Sequence, residues 1–204
     1  MEHEIHVIDD FLPDAEANLF HDKFFGNPNW TSEWNRGLSK TEQRAWNWHR
    51  SVALDLPNMG DASDDYLDVL DPEIRILWDA VSDKIKEITG IKHKMSRHYS
   101  NSHTYGQDGV IHEDDGDITV LYYPCKNWKT HWEGGTAFYT PEWDDCIKYA
   151  SYKFNRLVLF KASIPHRAMP VTRECYELRT SVVFKTNIDV NDTSYFEWYQ
   201  NRKQ

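Results

Sequence analysis

The chain has 204 residues, of which 40% are hydrophobic and 14% aromatic. That is enough for one substantial core and short for two, so a single domain over 1–204 is expected. Its formal net charge of -10 repels phosphate backbones, which argues against nucleic acid or an anionic membrane as the general partner. Cys125, Cys146 and Cys175 are odd in number and show no paired spacing, a pattern of free thiols in a reducing, cytoplasmic setting rather than a secreted disulfide framework. No segment is long and apolar enough to span a bilayer, and the N-terminus lacks the basic-then-apolar layout of a signal peptide.

In chain order, Glu4 to Asp9 reads as a short strand, followed by a helix that Asp14 can cap and that carries Leu19, Phe20 and Phe24. The region from Trp30 to Asp71 has weak periodicity and reads as a long loop with room for one helix. A clear helix starts at Asp71-Pro72 and stops at Thr89-Gly90, with Ile74, Leu77, Trp78, Val81, Ile85 and Ile88 on one apolar stripe. After Gly90 the pattern changes to short β-branched and aromatic segments divided by Gly, Pro, Asn and Asp. That is the signature of an antiparallel sandwich or barrel. The expected organisation is helical support and a substrate-covering segment over 1–90, a β core over 91–188 and a tail over 189–204.

The stretch "GVIHEDDGDITVLYYP" sets a histidine and several carboxylates against an apolar strand. Residues two apart on a strand share a face, so His112 and Asp114 can aim an imidazole and a carboxylate at one point while Glu113 faces away. Such a pair is half of a chelate, and alone it is more readily read as a solvated polar turn. A third ligand is available in His166, just past the apolar segment "RLVLF". Two histidines and one carboxylate make the facial triad of non-haem Fe(II) oxygenases, which leaves coordination positions open. The other histidines read as surface or packing residues, with His131 the one expected to come nearest to the site.

Such an iron site usually works with a 2-oxo acid whose far carboxylate needs an anchor. Arg179 and Ser181 lie two apart in "LRTSVVFK", so a guanidinium fork and a hydroxyl face the same way beside apolar residues that suggest burial.

Together these residues resemble the prolyl 4-hydroxylase-like 2-oxoglutarate/Fe(II) dioxygenases, most closely the oxygen-sensing prolyl hydroxylases. The resemblance runs from about Lys94 to Lys185 and rests on "RHYS", "HED", "YYPCKNW", "EGGTAFY", "FNRLVLFKASIPH" and "LRTS", in that order. It implies a double-stranded β-helix of jelly-roll type, mainly β with supporting N-terminal helices. It also implies iron bound by His112, Asp114 and His166, and 2-oxoglutarate held by Arg179 with support from Ser181. Tyr99 and Tyr123 stand where the family places tyrosines around the cosubstrate, and Tyr123 is the better placed. The cofactors so implied are Fe(II), 2-oxoglutarate and O2, with ascorbate as an optional reductant. An aspartate at 114 favours hydroxylation, because related halogenases carry a small residue there.

Two departures from the family pattern matter. The spacing from His166 to Arg179 is longer than in the relatives, so a bulge or hairpin at "VTRECYEL" must absorb it. The first 90 residues match no family motif, and flanking segments of that kind choose the substrate. The expected substrate is a prolyl residue in a peptide or protein, with a free amino acid or other small metabolite as the alternative. Trp30, Trp34, Trp46 and Trp48 among Arg36, Lys40, Arg44 and Arg50 read either as cover for the β core or as a lid along the site. Outside this class, the rivals are a jelly-roll metal-binding module without turnover and a Zn(II) hydrolase. Arg179 separates them, since a hydrolase has no need of a buried dicarboxylate anchor.

Overall fold

In the computed structural model, residues 4–25, 31–34, 47–50 and 70–201 are described. Strand β1 (Ile5–Ile8) leads into helix α1 (Asp14–Phe25), and two short strands follow, β2 (Thr31–Trp34) and β3 (Asn47–Arg50). The described parts of the region expected to be a loop are thus strands. Trp30, Arg36, Lys40, Arg44 and Trp46 lie outside the described residues, as do the side chains of Trp34, Trp48 and Arg50.

Helix α2 (Pro72–Thr89) ends at Gly90, which takes the left-handed conformation and donates its N–H to Lys86 O. Asp71 occupies the N-cap position without a side-chain capping bond. Its carboxylate pairs instead with Lys23, at 2.8 Å, and ties α2 to α1.

The β core follows as β4 (His93–His103), β5 (Ile118–Tyr123), β6 (Thr136–Tyr139), β7 (Cys146–Ala150), β8 (Arg156–Lys161), β9 (His166–Ala168) and β10 (Arg179–Ile188). A seven-stranded sheet has the order β1-β8-β5-β10-β4-β3-β2, and a three-stranded sheet the order β7-β6-β9. Every named strand pair is antiparallel. The N-terminal third therefore does more than support the core from outside: β1 extends one edge of the large sheet, and β3 and β2 extend the other. A final helix, α3 (Thr193–Asn201), occupies the expected tail.

Alternation along the strands builds two cores. On the outer face of the large sheet, Val120, Tyr122, Leu157, Leu159, Val182 and Phe184 pack against Phe20 and Phe24 of α1 and Ile74, Leu77, Trp78, Val81 and Ile85 of α2. Ile88 is only partly buried against this cluster, and Leu19 of α1 is exposed. Leu19 precedes Phe20 by one position and so is turned about 100° around the helix, away from the sheet. On the inner face, Tyr99, Leu121, Tyr123, Val158, Phe160 and Val183 meet Phe138, Ala150 and Tyr152 of the small-sheet side. Two sheets closed around such an interior form the jelly roll that the sequence implied, and the interior holds the candidate site.

Candidate metal and cosubstrate site

His112 belongs to no strand. It forms an antiparallel bridge with His166 on β9, with reciprocal N–H···O=C bonds of 3.0 and 2.9 Å. Bridge partners project their side chains to the same side, which puts the two imidazole centroids 4.4 Å apart. Asp114 is not on a strand either; its N–H donates to Ala162 O, at 2.9 Å, at the end of β8. The alternation argument for His112 and Asp114 therefore reaches the right convergence through a bridge and an anchored loop. Glu113 is exposed. One ligand atom from each of His112, Asp114 and His166 lies within 4.8 Å of the other two, the spacing that a single cation can join.

The tautomers are set by the neighbours. His112 Nδ1 lies 2.8 Å from Val110 O, and His166 Nδ1 lies 2.9 Å from Ile164 O. A carbonyl can only accept, so each Nδ1 carries a proton and Nε2 is the nitrogen that faces Asp114 and would face a metal. Those Nε2 atoms sit 3.5 and 3.4 Å from the two carboxylate oxygens of Asp114. Phe160, edge-on to the His166 ring with centroids 4.6 Å apart, fixes its plane.

Asp114 is held on both oxygens. Thr119 donates to Oδ2 at 2.8 Å, and Lys185 Nζ lies 3.1 Å from Oδ1 while also pairing with Asp115. Burial alone would push the Asp114 carboxyl up; His166, then Lys185 and His112, outweigh it and hold the group well below the usual carboxylate range. It is therefore ionised across the physiological range, as a metal ligand must be.

Arg179, expected as the cosubstrate anchor, lies on β10 with Lys185. Arg179 is 2% exposed. Its Nε donates to Gly134 O at 2.6 Å, Nη1 to Ser181 Oγ at 3.2 Å, and Nη2 to Thr136 Oγ1 at 3.3 Å and Gly135 O at 3.4 Å. Every one of these partners is neutral, and among the described residues no carboxylate forms an ion pair with Arg179. A buried guanidinium without a counter-charge is a strong site for an anion. The bond to Ser181 leans the fork along β10 in the direction of Lys185 and the triad. Cβ atoms at residues 134 and 135 would come within 2.9 Å of Trp128 and 2.4 Å of Ala150 O, so this close approach requires the glycine pair of "EGGTAFY".

Tyr123 is fully buried, exchanges a 2.7 Å hydrogen bond with Thr136 and lies under the Arg179 guanidinium, 5.4 Å from ring centroid to Cζ. Ser181 and Tyr99 are buried on the same inner face, Tyr99 through its pairing opposite Val183. The sequence-expected set is thus brought together in one interior. His131 is not part of it: this residue sits on the surface, with its partners Glu174 at 3.5 Å and the Trp132 ring. The longer path from His166 to Arg179 is absorbed by a turn rather than a hairpin. Val171 bridges Glu133, Thr172 N–H donates to Trp132 O, and Cys175 N–H donates back to Thr172 O.

Sequence reasoning missed Thr119, Thr136, Lys185 and His103. The signal for Lys185 was present, since Arg179, Ser181, Val183 and Lys185 are spaced by two on one strand and so share a face. The same alternation places Thr119 with Leu121 and Tyr123. His103, opposite Arg179 in the β4–β10 register, is buried, and desolvation first, then the Arg179 charge, lowers its pKa to about 3.

Comparison with known proteins agrees with this geometry. Residues 87–184 match the family model of the 2OG-Fe(II) oxygenase superfamily. No curated protein sequence matches the chain significantly. Among solved structures, a prolyl hydroxylase from Trichoplax adhaerens in complex with a hypoxia inducible factor peptide fragment superposes with a TM-score of 0.63 at 16% identity, covering 95% of this chain and 86% of its own. A prolyl-4-hydroxylase from Pseudomonas putida gives 0.53 at 15% identity, with 89% and 92% covered. HygX from Streptomyces hygroscopicus, bound to nickel, 2-oxoglutarate and hygromycin B, gives 0.59 at 9% identity, with 90% and 82% covered. At these identities the likeness is one of fold, the double-stranded β-helix.

Proposed function

We propose that this chain, which belongs to the 2OG-Fe(II) oxygenase superfamily, binds Fe(II) through His112, Asp114 and His166 and holds the distal carboxylate of 2-oxoglutarate on Arg179, in order to hydroxylate a prolyl residue in a peptide or protein. The family uses Fe(II), 2-oxoglutarate and O2. The observation that carries the reading is the pairing of two features in one interior: three ligand atoms within 4.8 Å and a buried, unneutralised guanidinium on β10, the strand whose Lys185 touches Asp114. A structural zinc site would account for the first and leave the second without a purpose.

The residues divide the work. Val110 and Ile164 carbonyls keep the two imidazoles in the tautomer that presents Nε2. Thr119 and Lys185 hold the orientation of the Asp114 carboxylate. Arg179, Ser181 and the Tyr123–Thr136 pair form the polar cradle that would take the distal carboxylate. The aromatic wall of Phe138, Phe160 and Tyr152 excludes water. When bound, iron and 2-oxoglutarate supply the oxidative chemistry that breaks an unactivated C–H bond, while the protein supplies orientation and a dry setting.

Support for a prolyl substrate comes from two of the structural neighbours, which are prolyl hydroxylases, one of them with a peptide bound. HygX, whose structure holds hygromycin B, keeps a small-molecule substrate as the second reading. Incubating the Fe(II)-loaded protein with 2-oxoglutarate, O2 and either proline-containing peptides or free amino acids tests the choice by mass spectrometry. A gain of one oxygen atom on a peptide, with succinate released in step, supports the first reading; a gain only on a free small molecule supports the second.

A further inference from the structure

Among the described residues, one half-buried cation beside the interior remains unassigned. Arg97 lies on β4 directly opposite Lys185 of β10, two positions from Tyr99 and on the same inward face. Its guanidinium carbon sits 5.0 Å from the Tyr99 ring centroid. Its Nε is buried and has no hydrogen-bond partner, and none of the ion pairs among the described residues involves it. Lys185, its neighbour across the strands, is compensated by Asp114 and Asp115, and Arg179 makes its bonds to Gly134, Gly135, Thr136 and Ser181. Arg97 has no such arrangement. The cation–π contact with Tyr99 fixes the guanidinium plane without using its N–H groups, so the fork is preorganised for a ligand.

The position says which ligand. Arg179 and Lys185 are six positions apart on the inner face of β10. The triad stands at the Lys185 end, because Lys185 touches Asp114. A dicarboxylate running from the triad to Arg179 uses the other end of the strand. Arg97 stands opposite Lys185 at the triad end of β10 and Arg179 at the other end, so an anion on Arg97 would not compete for the cosubstrate's anchor and would lie near the triad, as a molecule to be oxidised must.

We propose that Arg97 is the recognition site for a carboxylate of the primary substrate. Resting on the hydroxylase reading above, this specifies the substrate class as one that presents an anionic carboxylate close to the carbon being oxidised. The same chemistry is offered by a free amino or imino acid and by the C-terminal carboxylate of a peptide.

The test uses the anaerobic, Fe(II)- and 2-oxoglutarate-loaded full chain and follows the visible charge-transfer absorption of the chelate, which shifts when a substrate displaces metal-bound water. The probes are the common L-amino acids, proline included, against their primary amides, and a proline-terminated peptide as free acid against its amide. At least one free acid is expected to shift the band at a concentration about tenfold or more below its amide, the scale on which loss of one partner of a buried charge pair is felt. Arg97→Leu is expected to remove that preference and Arg97→Lys to restore part of it, with thermal melts confirming that both variants are folded. Whether the amino acid or the peptide acid responds identifies the source. Equal responses to acids and amides, no response to any probe, or an acid preference surviving in Arg97→Leu would overturn the assignment. Loss of the chelate band itself in Arg97→Leu would also overturn it, by giving the guanidinium to the cosubstrate. Absence of the band in the unmodified protein would instead reject the underlying oxygenase reading.

Discussion

The two faces of β10 are made by alternate residues of one strand and serve different ends. Val182 and Phe184 face outward into the helix-covered core, where Phe184 is fully buried against Trp78 with ring centroids 5.6 Å apart. Arg179, Ser181, Val183 and Lys185 face inward, and three of these four are polar yet equally buried. The outer face gains from apolar burial alone. Its inner counterpart carries desolvated charge that is tolerable only with partners: Lys185 has Asp114 and Asp115, and Arg179 has four neutral acceptors. The contrast teaches that stability and chemistry are separable here at the level of odd and even positions, and that substitutions on the two faces should fail in different assays.

The largest effects belong to the triad. Replacing His112, Asp114 or His166 with Ala should lower Fe(II)-dependent succinate formation by at least about a hundredfold, beyond even the loss typical of outer-shell metal partners. The fold should survive in His112→Ala, since that side chain is partly exposed. Circular dichroism and metal titration check both halves of the expectation. Next, Phe184→Ala should cost about 3–5 kcal/mol of stability, the range for a fully buried aromatic. In chemical denaturation the midpoint should fall while the half-saturation for 2-oxoglutarate of the folded protein stays within a factor of a few. If cosubstrate binding fell in proportion, the two faces would not be separable.

Arg179→Ala inverts that pattern. Removing one member of a buried charge pair costs about 2–5 kcal/mol in binding, so the half-saturation for 2-oxoglutarate should rise by about thirtyfold or more. Arg179→Lys should recover only part, since an ammonium lacks the fork. Should the affinity be unchanged in Arg179→Ala, the anion anchor must be sought elsewhere on the inner wall.

How far these assignments could be read in advance follows from the range of the forces involved. Helix α2 was legible because its cap position, proline and terminal glycine act within a few residues, and the triad histidines and Arg179 were legible because the chemistry restricts residue type. The inward direction of Lys185 was not, because the choice of face depends on which partner sheet closes the barrel, a tertiary fact. A lysine after Val-Val-Phe reads as the solvated end of a strand until Asp114 is known to lie above it. Strand β9 was hidden for the same reason, since three residues have no periodicity of their own and are held by pairing with β6 and by the His112 bridge. His131 misled in the opposite sense: neighbouring aromatics suggested the interior, but Trp132 takes the buried position and leaves the histidine outside.

A smaller effect should appear on acidification. His103 is held neutral by burial and by Arg179, with its pKa lowered from 6.5 to about 3. The unfolded chain thus binds a proton that the folded chain refuses, so stability is complete above about pH 6.5 and falls as the pH drops toward about 3. Denaturation midpoints measured at pH 7.5 and 5 should differ less in His103→Asn than in the unmodified protein. The smallest expected effect is at the surface, where Asp9 pairs with Arg156 at 2.6 Å and Lys153 at 3.0 Å and its pKa is lowered from 3.8 to about 2, chiefly by the Arg156 hydrogen bond. Its contribution is present above the unfolded value and is lost as the pH falls through about 2. Solvent screening limits Asp9→Asn to below about 1 kcal/mol in the same assay.

The central claim is that one interior holds a metal on His112, Asp114 and His166 and an anion on Arg179. Anaerobic addition of Fe(II) and then 2-oxoglutarate, followed by visible absorption, tests both at once. The account predicts a charge-transfer band that saturates with 2-oxoglutarate in the unmodified protein, that needs much higher 2-oxoglutarate in Arg179→Ala, and that is absent in Asp114→Ala. No band in the unmodified protein, or an unaltered band in Asp114→Ala, would contradict it.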